Sequence, residues 1–239
     1  TGEDLKKFFD DKDISTLLII NPDNPSGNYI FKNEVLNLAE WALDRNIKLI
    51  VDESFVDFVN KEDNSSLLYD EILKEYPNLI IIKSISKSFG VPGLRLGILA
   101  SQDKELIKDI KSDLSIWNIN SFAEFFIQIF EKYKSDYENA IEEFKKVRDK
   151  FEENLQKIPN LRVIPSQANY FLCEIINACT ATELTKFLLD KYNILIKDLS
   201  SKKGINGEYV RIAIKRPEEN EKLINALKSI MKHQFKLEA

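Results

Sequence analysis

Histidine is nearly absent: the one copy in 239 residues is His233, toward the charged end of an expected C-terminal helix and far from any loop motif. That removes hydrolases built on a Ser/His or Cys/His pair, which need an imidazole to take the nucleophile's proton. Cysteine is almost as scarce. Cys173 and Cys179 are the only two, too few for a disulfide framework or a thiolate zinc site, so no metal is expected and both read as reduced, structural thiols. No apolar run approaches the roughly eighteen residues a membrane span requires. An excess of positive charge is missing too, with 34 Lys and Arg against 39 Asp and Glu. Nucleic acid and membrane are therefore not expected partners. No Gly-x-Gly-x-x-Gly run opens a helix after the first strand, which argues against a dinucleotide-binding α/β domain. Thr1 is not an initiator methionine and nothing near it resembles a secretory signal, so the chain reads as part of a longer, cytoplasmic protein.

What is present suits a globular α/β protein. Hydrophobic residues make up 44% and charged residues 31%, and the length permits one large or two modest domains. Leu17 to Ile20 is a short apolar run ending at Asn21-Pro22-Asp23-Asn24-Pro25-Ser26-Gly27, the pattern of a buried strand leaving into a tight loop. Phe31, Val35, Leu36, Leu38, Ala39 and Ala42 recur at helical spacing through Arg45, and Ile47 to Val51 forms a second buried run closed by Asp52. The pattern repeats: Leu67, Leu68, Ile72 and Leu73 suit a helix, Leu79 to Ile82 a strand, Ser84 to Gly93 a small-residue loop, and Arg95 to Ala100 a further strand. Such alternation predicts a mostly parallel sheet with helices on both faces and a ligand site at the strands' C-terminal ends.

Beyond Asp103 the texture changes to long helices. Ser121 to Tyr133 and Tyr137 to Leu155 carry apolar stripes, read as core. After Pro159, strands are expected at Leu161 to Val163, Tyr170 to Cys173, Ile194 to Ile196 and Tyr209 to Ile214, with helices at Thr182 to Tyr192 and Pro217 to Phe235. This second part reads as a small α+β domain.

Three strand ends carry polar residues: Asn24 after the first, Asp52 at the end of the second, and Ser84 with Lys87 after the third. Taken singly, each has an ordinary reading as a turn residue, a cap or a solvated lysine. Their order changes that. Asn24-Pro25-Ser26-Gly27, Asp52-Glu53-Ser54-Phe55, Ser84-Ile85-Ser86-Lys87 and Pro92-Gly93-Leu94-Arg95-Leu96-Gly97 together closely resemble the fold-type-I pyridoxal-phosphate enzymes of the aminotransferase class I/II family, from about Leu17 to the C-terminus.

The resemblance implies a fold: residues 1–135 would be the remainder of a large cofactor-binding domain, and 136–239 a small C-terminal domain begun by a long connecting helix. It also implies pyridoxal 5'-phosphate as cofactor. Lys87 would form the Schiff base and act as base, which requires its pKa to be lowered by burial and neighbouring cations. Asp52 would keep the ring nitrogen protonated. Asn24 would hydrogen-bond the ring's phenolic oxygen, and Ser84 and Arg95 would hold the phosphate. Arg211, in Tyr209-Val210-Arg211-Ile212-Ala213, matches the arginine that grips a substrate carboxylate, where the ordinary alternative is a surface arginine on an edge strand. Asn169, in Ala168-Asn169-Tyr170-Phe171-Leu172, matches a family position at the substrate.

The sequence departs from the family at Phe55, where many relatives carry a tyrosine whose hydroxyl also reaches the phenolic oxygen. Its loss leaves Asn24 as the main partner there and is expected to raise the pKa of the lysine–cofactor bond. Family members also begin well over a hundred residues earlier. Ser88-Phe89-Gly90 after Lys87 and the stretch from Arg211 to Asn220 most resemble the histidinol-phosphate aminotransferase and threonine-phosphate decarboxylase branch. The expected activity is amino transfer between an amino acid or phosphorylated amino compound and a 2-oxo acid, in a homodimer. Decarboxylation through the same chemistry is the alternative, and an inactive fragment or assembly module is the second.

Overall fold

The apolar runs fold as strands because they are short, rich in Ile, Leu and Val, and bounded by turn residues. The computed structural model describes residues 1–60 and 66–232. Within them the chain divides into two compact units, Thr1–Asp23 with Tyr29–Ile141, and Asn24–Asn28 with Glu142 onward.

The first unit runs α1 (Gly2–Phe9), β1 (Thr16–Ile20), α2 (Lys32–Asp44), β2 (Lys48–Asp52), a 3-10 turn at Val56–Phe58, α3 (Asp70–Glu75) and β3 (Leu79–Ser84). A second 3-10 turn at Pro92–Leu94 leads to β4 (Gly97–Ser101), α4 (Lys104–Asp113) and α5 (Ser121–Phe130). The sheet order is β1-β2-β3-β4, parallel from β1 to β3 and antiparallel between β3 and β4. Parallel neighbours need a crossover, which α2 and α3 supply. The Glu34 carboxylate accepts the Phe31 N–H at 3.2 Å at the start of α2, and Asn46 stops the chain beyond it in the left-handed region at φ 57°, as expected of a helix end. Between them Val35, Leu38, Ala39 and Ala42 are buried at three-and-four spacing. They pack on Leu17, Ile19, Leu49, Val51, Leu79 and Ile81, each worth about 1.5–3 kcal/mol of burial for the larger side chains. On the opposite face Ile80 is buried, while Leu18 and Leu99 stand exposed.

The long helix α6 (Lys134–Leu155) carries the chain into the second unit, where β5 (Leu161–Ile164), β6 (Tyr170–Ile175), α7 (Ala181–Tyr192), β7 (Lys197–Asp198), β8 (Tyr209–Ala213) and α8 (Pro217–Lys232) follow. The sheet is antiparallel, in the order β5-β6-β8-β7. Its core gathers Leu155, Phe171, Cys173, Leu184, Leu188, Val210, Ile212 and Leu227. Both cysteines are free. Burial pushes both thiols up, Cys179 to about 11, so they stay neutral and unreactive.

Several expected elements shift for local reasons. Leu67 and Leu68 precede α3 rather than opening it, because the Leu67 N–H is committed to the Glu53 carboxylate at 2.6 Å. Arg95 is outside β4: it closes the Pro92–Leu94 turn with φ 55°. No strand forms at Ile194 to Ile196, where the Ile194 N–H bonds back to the Leu188 carbonyl at the end of α7, and pairing begins at Lys197. The apolar stripe of α5 is core only in part. Phe126 and Phe130 pack with Phe89, whereas Phe122 and Phe125 are exposed. His233 and the rest of the expected helix to Phe235 lie outside the described residues.

Glu53 has a thermodynamic consequence. It is 2% exposed, and its carboxylate accepts hydrogen bonds from Ser66 Oγ and the Leu67 N–H, both at 2.6 Å. Desolvation outweighs these bonds and raises its pKa above the ordinary 4.5. A raised carboxyl pKa means the folded state holds the proton more tightly than the unfolded chain. The group's contribution to stability is therefore full below 4.5 and is lost as pH rises through the folded pKa. The non-titrating variant Glu53→Gln lacks this slope, so its stability relative to the wild type should improve over a window that opens near pH 4.5 and closes above the folded pKa. Denaturant unfolding at both ends of that window measures it; a pH-independent difference would mean that Glu53 stays ionised throughout.

Candidate active site

Because β1, β2 and β3 are parallel, their C-terminal ends share one edge of the sheet. Beyond β2 the ladder runs on: the Glu53 N–H reaches the Ile82 carbonyl at 2.7 Å, and the Asn21 N–H reaches the Asp52 carbonyl at 2.9 Å. Asp52 and Glu53 then diverge, Glu53 into the core and Asp52 toward Ser54. The Ser54 N–H and Oγ both donate to Asp52 Oδ1, at 2.9 and 2.5 Å. The same Oγ accepts the Ser84 N–H at 3.0 Å. One hydroxyl thus ties Asp52 to the end of β3. Asp52 Oδ2 accepts no hydrogen bond among the described residues.

After β3 the chain turns at Lys87, whose carbonyl accepts the Gly90 N–H at 3.3 Å, with Gly90 at φ 66°, where a side chain would be strained. The Ser84 hydroxyl accepts the Ser86 N–H at 3.3 Å. Lys87 is exposed, against the expectation of a buried amine, because this turn carries it outward. Its Nζ stands 6.0 Å from the centre of the Phe55 ring, and Phe55 is itself buried. Arg95 is exposed and donates to the Pro92 carbonyl at 3.1 Å.

In the second unit, strand periodicity sorts β8: Val210 and Ile212 are fully buried, so Arg211 projects from the other face. With β6 on one side and β7 on the other, Arg211 does not sit on an edge strand. Its guanidinium lies 5.0 Å from the Tyr170 ring centre, and Nη1 donates to Asn24 Oδ1 at 2.7 Å. Two residues singled out separately in sequence thus meet. The Asn24 loop is seated by the Gln167 N–H, which donates to the Gly27 carbonyl at 2.8 Å. Gly27 has φ +72°, and a Cβ there would come within 2.0 Å of Ser166 Oγ, so only glycine fits. The Asn169 carbonyl accepts the Ile214 N–H at 3.0 Å, fixing the start of β6.

Ser54, Lys83, Asp57 and Ser88 carry no role that the sequence alone displays. Lys83 Nζ, on a residue 8% exposed, pairs with Asp57 Oδ1 at 2.6 Å, and Ser88 Oγ donates to Asp57 Oδ2 at 2.6 Å. A charge closing the buried run of β3 was the available signal, since a lysine is seldom buried without a partner.

The Aminotransferase class I and II family matches residues 3–227. The chain belongs to this family of pyridoxal 5'-phosphate enzymes. It is 34% identical to an L-serine phosphate decarboxylase of Sulfurospirillum multivorans over 95% of the chain and 58% of that protein. It is 32% identical to a histidinol-phosphate aminotransferase of Caldanaerobacter subterraneus subsp. tengcongensis, over 90% of the chain and 57% of that protein. Among solved structures, a decarboxylase from Sulfurospirillum multivorans superposes with a TM-score of 0.87 at 32% identity, over 97% of this chain and 66% of that one. A histidinol-phosphate aminotransferase from Clostridium acetobutylicum gives 0.86 at 32% identity, over 97% and 67%. The chain therefore spans a little under three-fifths of the length of these two curated relatives.

In this aminotransferase-family chain, Ser54→Ala should remove a bond to Asp52 and leave the Ser84 N–H without its acceptor. The expected cost is about 1–3 kcal/mol of folding stability, measured by urea unfolding. A loss below about 0.5 kcal/mol would show that water replaces the hydroxyl without penalty.

Proposed function

We propose that this chain is the cofactor-anchoring portion of a cytoplasmic, homodimeric pyridoxal 5'-phosphate enzyme that decarboxylates a small phosphorylated amino acid. The observation that carries the cofactor reading is the link from Asp52 through Ser54 to Ser84, three residues ahead of Lys87. One Asp52 oxygen is held and the other is open, as a carboxylate facing a protonated ring nitrogen requires. The donor set suits the group: a carboxylate for the ring nitrogen, a hydroxyl at Ser84 and a guanidinium at Arg95 for a phosphate, and an accessible amine at Lys87 for an aldehyde.

The cofactor, when bound, supplies an electron-withdrawing ring that receives the electron pair of the bond broken at the substrate's alpha carbon. Lys87 would hold it through Nζ, yield that place to the substrate's amine, and then deliver a proton to the alpha carbon vacated by carbon dioxide. Phe55 offers an apolar ring face beside Nζ, without a hydroxyl to bond the cofactor. In the second unit Arg211, flanked by Tyr170 and Asn24, would bind a carboxylate by paired N–H donors, and Asn169 would line the same substrate.

Decarboxylation is preferred because two L-serine phosphate decarboxylases, from Sulfurospirillum multivorans and Campylobacter jejuni, match at 34% and 31% identity. Amino transfer to a 2-oxo acid is the second reading, favoured by the histidinol-phosphate aminotransferase at 32%. The two differ in which alpha-carbon bond is held across the ring plane, a matter of fine positioning.

The test uses the full-length protein. After pyridoxal 5'-phosphate and then borohydride, peptide mass mapping should find the adduct on Lys87 and none in Lys87→Ala. O-phospho-L-serine should then release carbon dioxide, with no oxo acid needed. Keto-acid-dependent loss of the amine without carbon dioxide would replace decarboxylation with transfer, and an unmodified Lys87 would sink both.

A further inference from the structure

Asp57 lies five residues beyond Asp52, in the 3-10 turn Val56–Phe58, and both its oxygens are used. Oδ1 takes the Lys83 ammonium and Oδ2 takes the Ser88 hydroxyl, each at 2.6 Å. Lys83 and Ser88 bracket the segment that carries Lys87. The aspartate side chain is only 19% exposed and the lysine's 10%, so solvent competes weakly and both bonds are charge-assisted.

Together with the Ser54 bridge this makes two straps between the same pair of turns. The first joins Asp52 through Ser54 to the Ser84 N–H. The second joins Asp57 to Ser88. Lys87 sits between the two points of attachment, with its own Nζ outside both. One residue further on, Phe89 stacks on Tyr137 at 4.3 Å with the rings 6° apart and lies edge-on to Phe130 at 5.0 Å. Burial first, and the Asp57 carboxylate second, push the Tyr137 phenol well above its ordinary range, so this wall of the segment stays uncharged.

We propose that Asp57 is a positioning residue for Lys87: by gripping Ser88 it holds the Lys87 backbone at a fixed place relative to the Asp52 carboxylate. This rests on the reading of Lys87 as the cofactor-bearing residue. The Lys83–Asp57 pair alone would satisfy the two buried charges. The Ser88 bond is additional and separable, and it lands on the residue adjacent to Lys87.

Asp57→Asn would leave the Lys83 ammonium facing a neutral amide and can simply fail to fold, so the decisive variants are at Ser88. In the full-length protein without cofactor, Ser88→Ala should keep its melting temperature within a few degrees. Amide hydrogen exchange across residues 84–90 should accelerate about tenfold, the equivalent of one net hydrogen bond, while the rest of the chain is unchanged. Pyridoxal 5'-phosphate should then bind Ser88→Ala about tenfold more weakly, and Ser88→Thr should restore both readings. Unchanged exchange in 84–90, acceleration spread evenly over the protein, or failure of threonine to rescue would overturn the proposal. If wild-type Lys87 never takes the cofactor, the proposed function fails, yet the exchange result still decides whether Asp57 positions this segment.

Discussion

The Ser54 hydroxyl has one proton and two lone pairs, and the candidate site depends on how they are spent. Its proton goes to Asp52 Oδ1, so the lone pair facing β3 is left to receive the Ser84 N–H. Backbone pairing between β2 and β3 ends at the Glu53 N–H, and one more N–H beyond it needs a partner. Ser54 supplies that partner from its side chain, which lengthens the ladder by one bond and aims a carboxylate in the same act. Had Ser54 donated toward β3 instead, Asp52 would keep only the Ser54 N–H and Ser84 would lose its acceptor. The direction of a single hydroxyl proton therefore couples two strand ends thirty residues apart.

The second unit solves a different problem, keeping a guanidinium presentable in a sheet whose other face packs against the core. Alternation along β8 does this without special residues, since Val210 and Ile212 take the core face and Arg211 is left opposite. Central placement between β6 and β7 fixes the Cα on both sides, so the long side chain starts from a rigid base. Asn24 then holds one nitrogen from 187 residues away in sequence. That contact needs the tight loop at Gly27, because any side chain there would strike Ser166.

Much of this was legible because it is periodic or local. Parallel strands, their crossover helix α2 and the polar residues at strand ends follow from buried apolar runs closed by Asn, Asp and Ser. Two misplacements show the limit. Leu67 has the spacing of a helix residue, yet its N–H is claimed by Glu53, fourteen residues earlier. Ile194 looks like strand, yet its N–H closes the end of α7. In both cases a backbone donor is taken by an acceptor that no window of sequence reveals. The same holds for Lys83, Asp57 and Ser88, whose meaning lies where the end of β3 meets two turns. Four motifs in order pointed to the family from sequence, whereas the straps that hold those motifs became visible only in three dimensions.

A lysine that must anchor a group, release it and then carry a proton faces opposing demands. Its nitrogen has to travel, while its Cα must not. The chain separates the two. Ser84 and Ser88, four residues apart, are each bonded to the turn after β2, and the backbone between them is short enough that fixing both ends leaves Lys87 little latitude. The side chain itself is exposed, with Nζ 6.0 Å from the centre of the Phe55 ring. Holding the backbone in advance removes ordering entropy from the binding step, while the free side chain keeps the reach that exchange of amines requires. A packed, buried lysine would reverse that division at the expense of movement. The position of Ser88 beside Lys87 is what lets this fold hold the backbone and leave the amine loose.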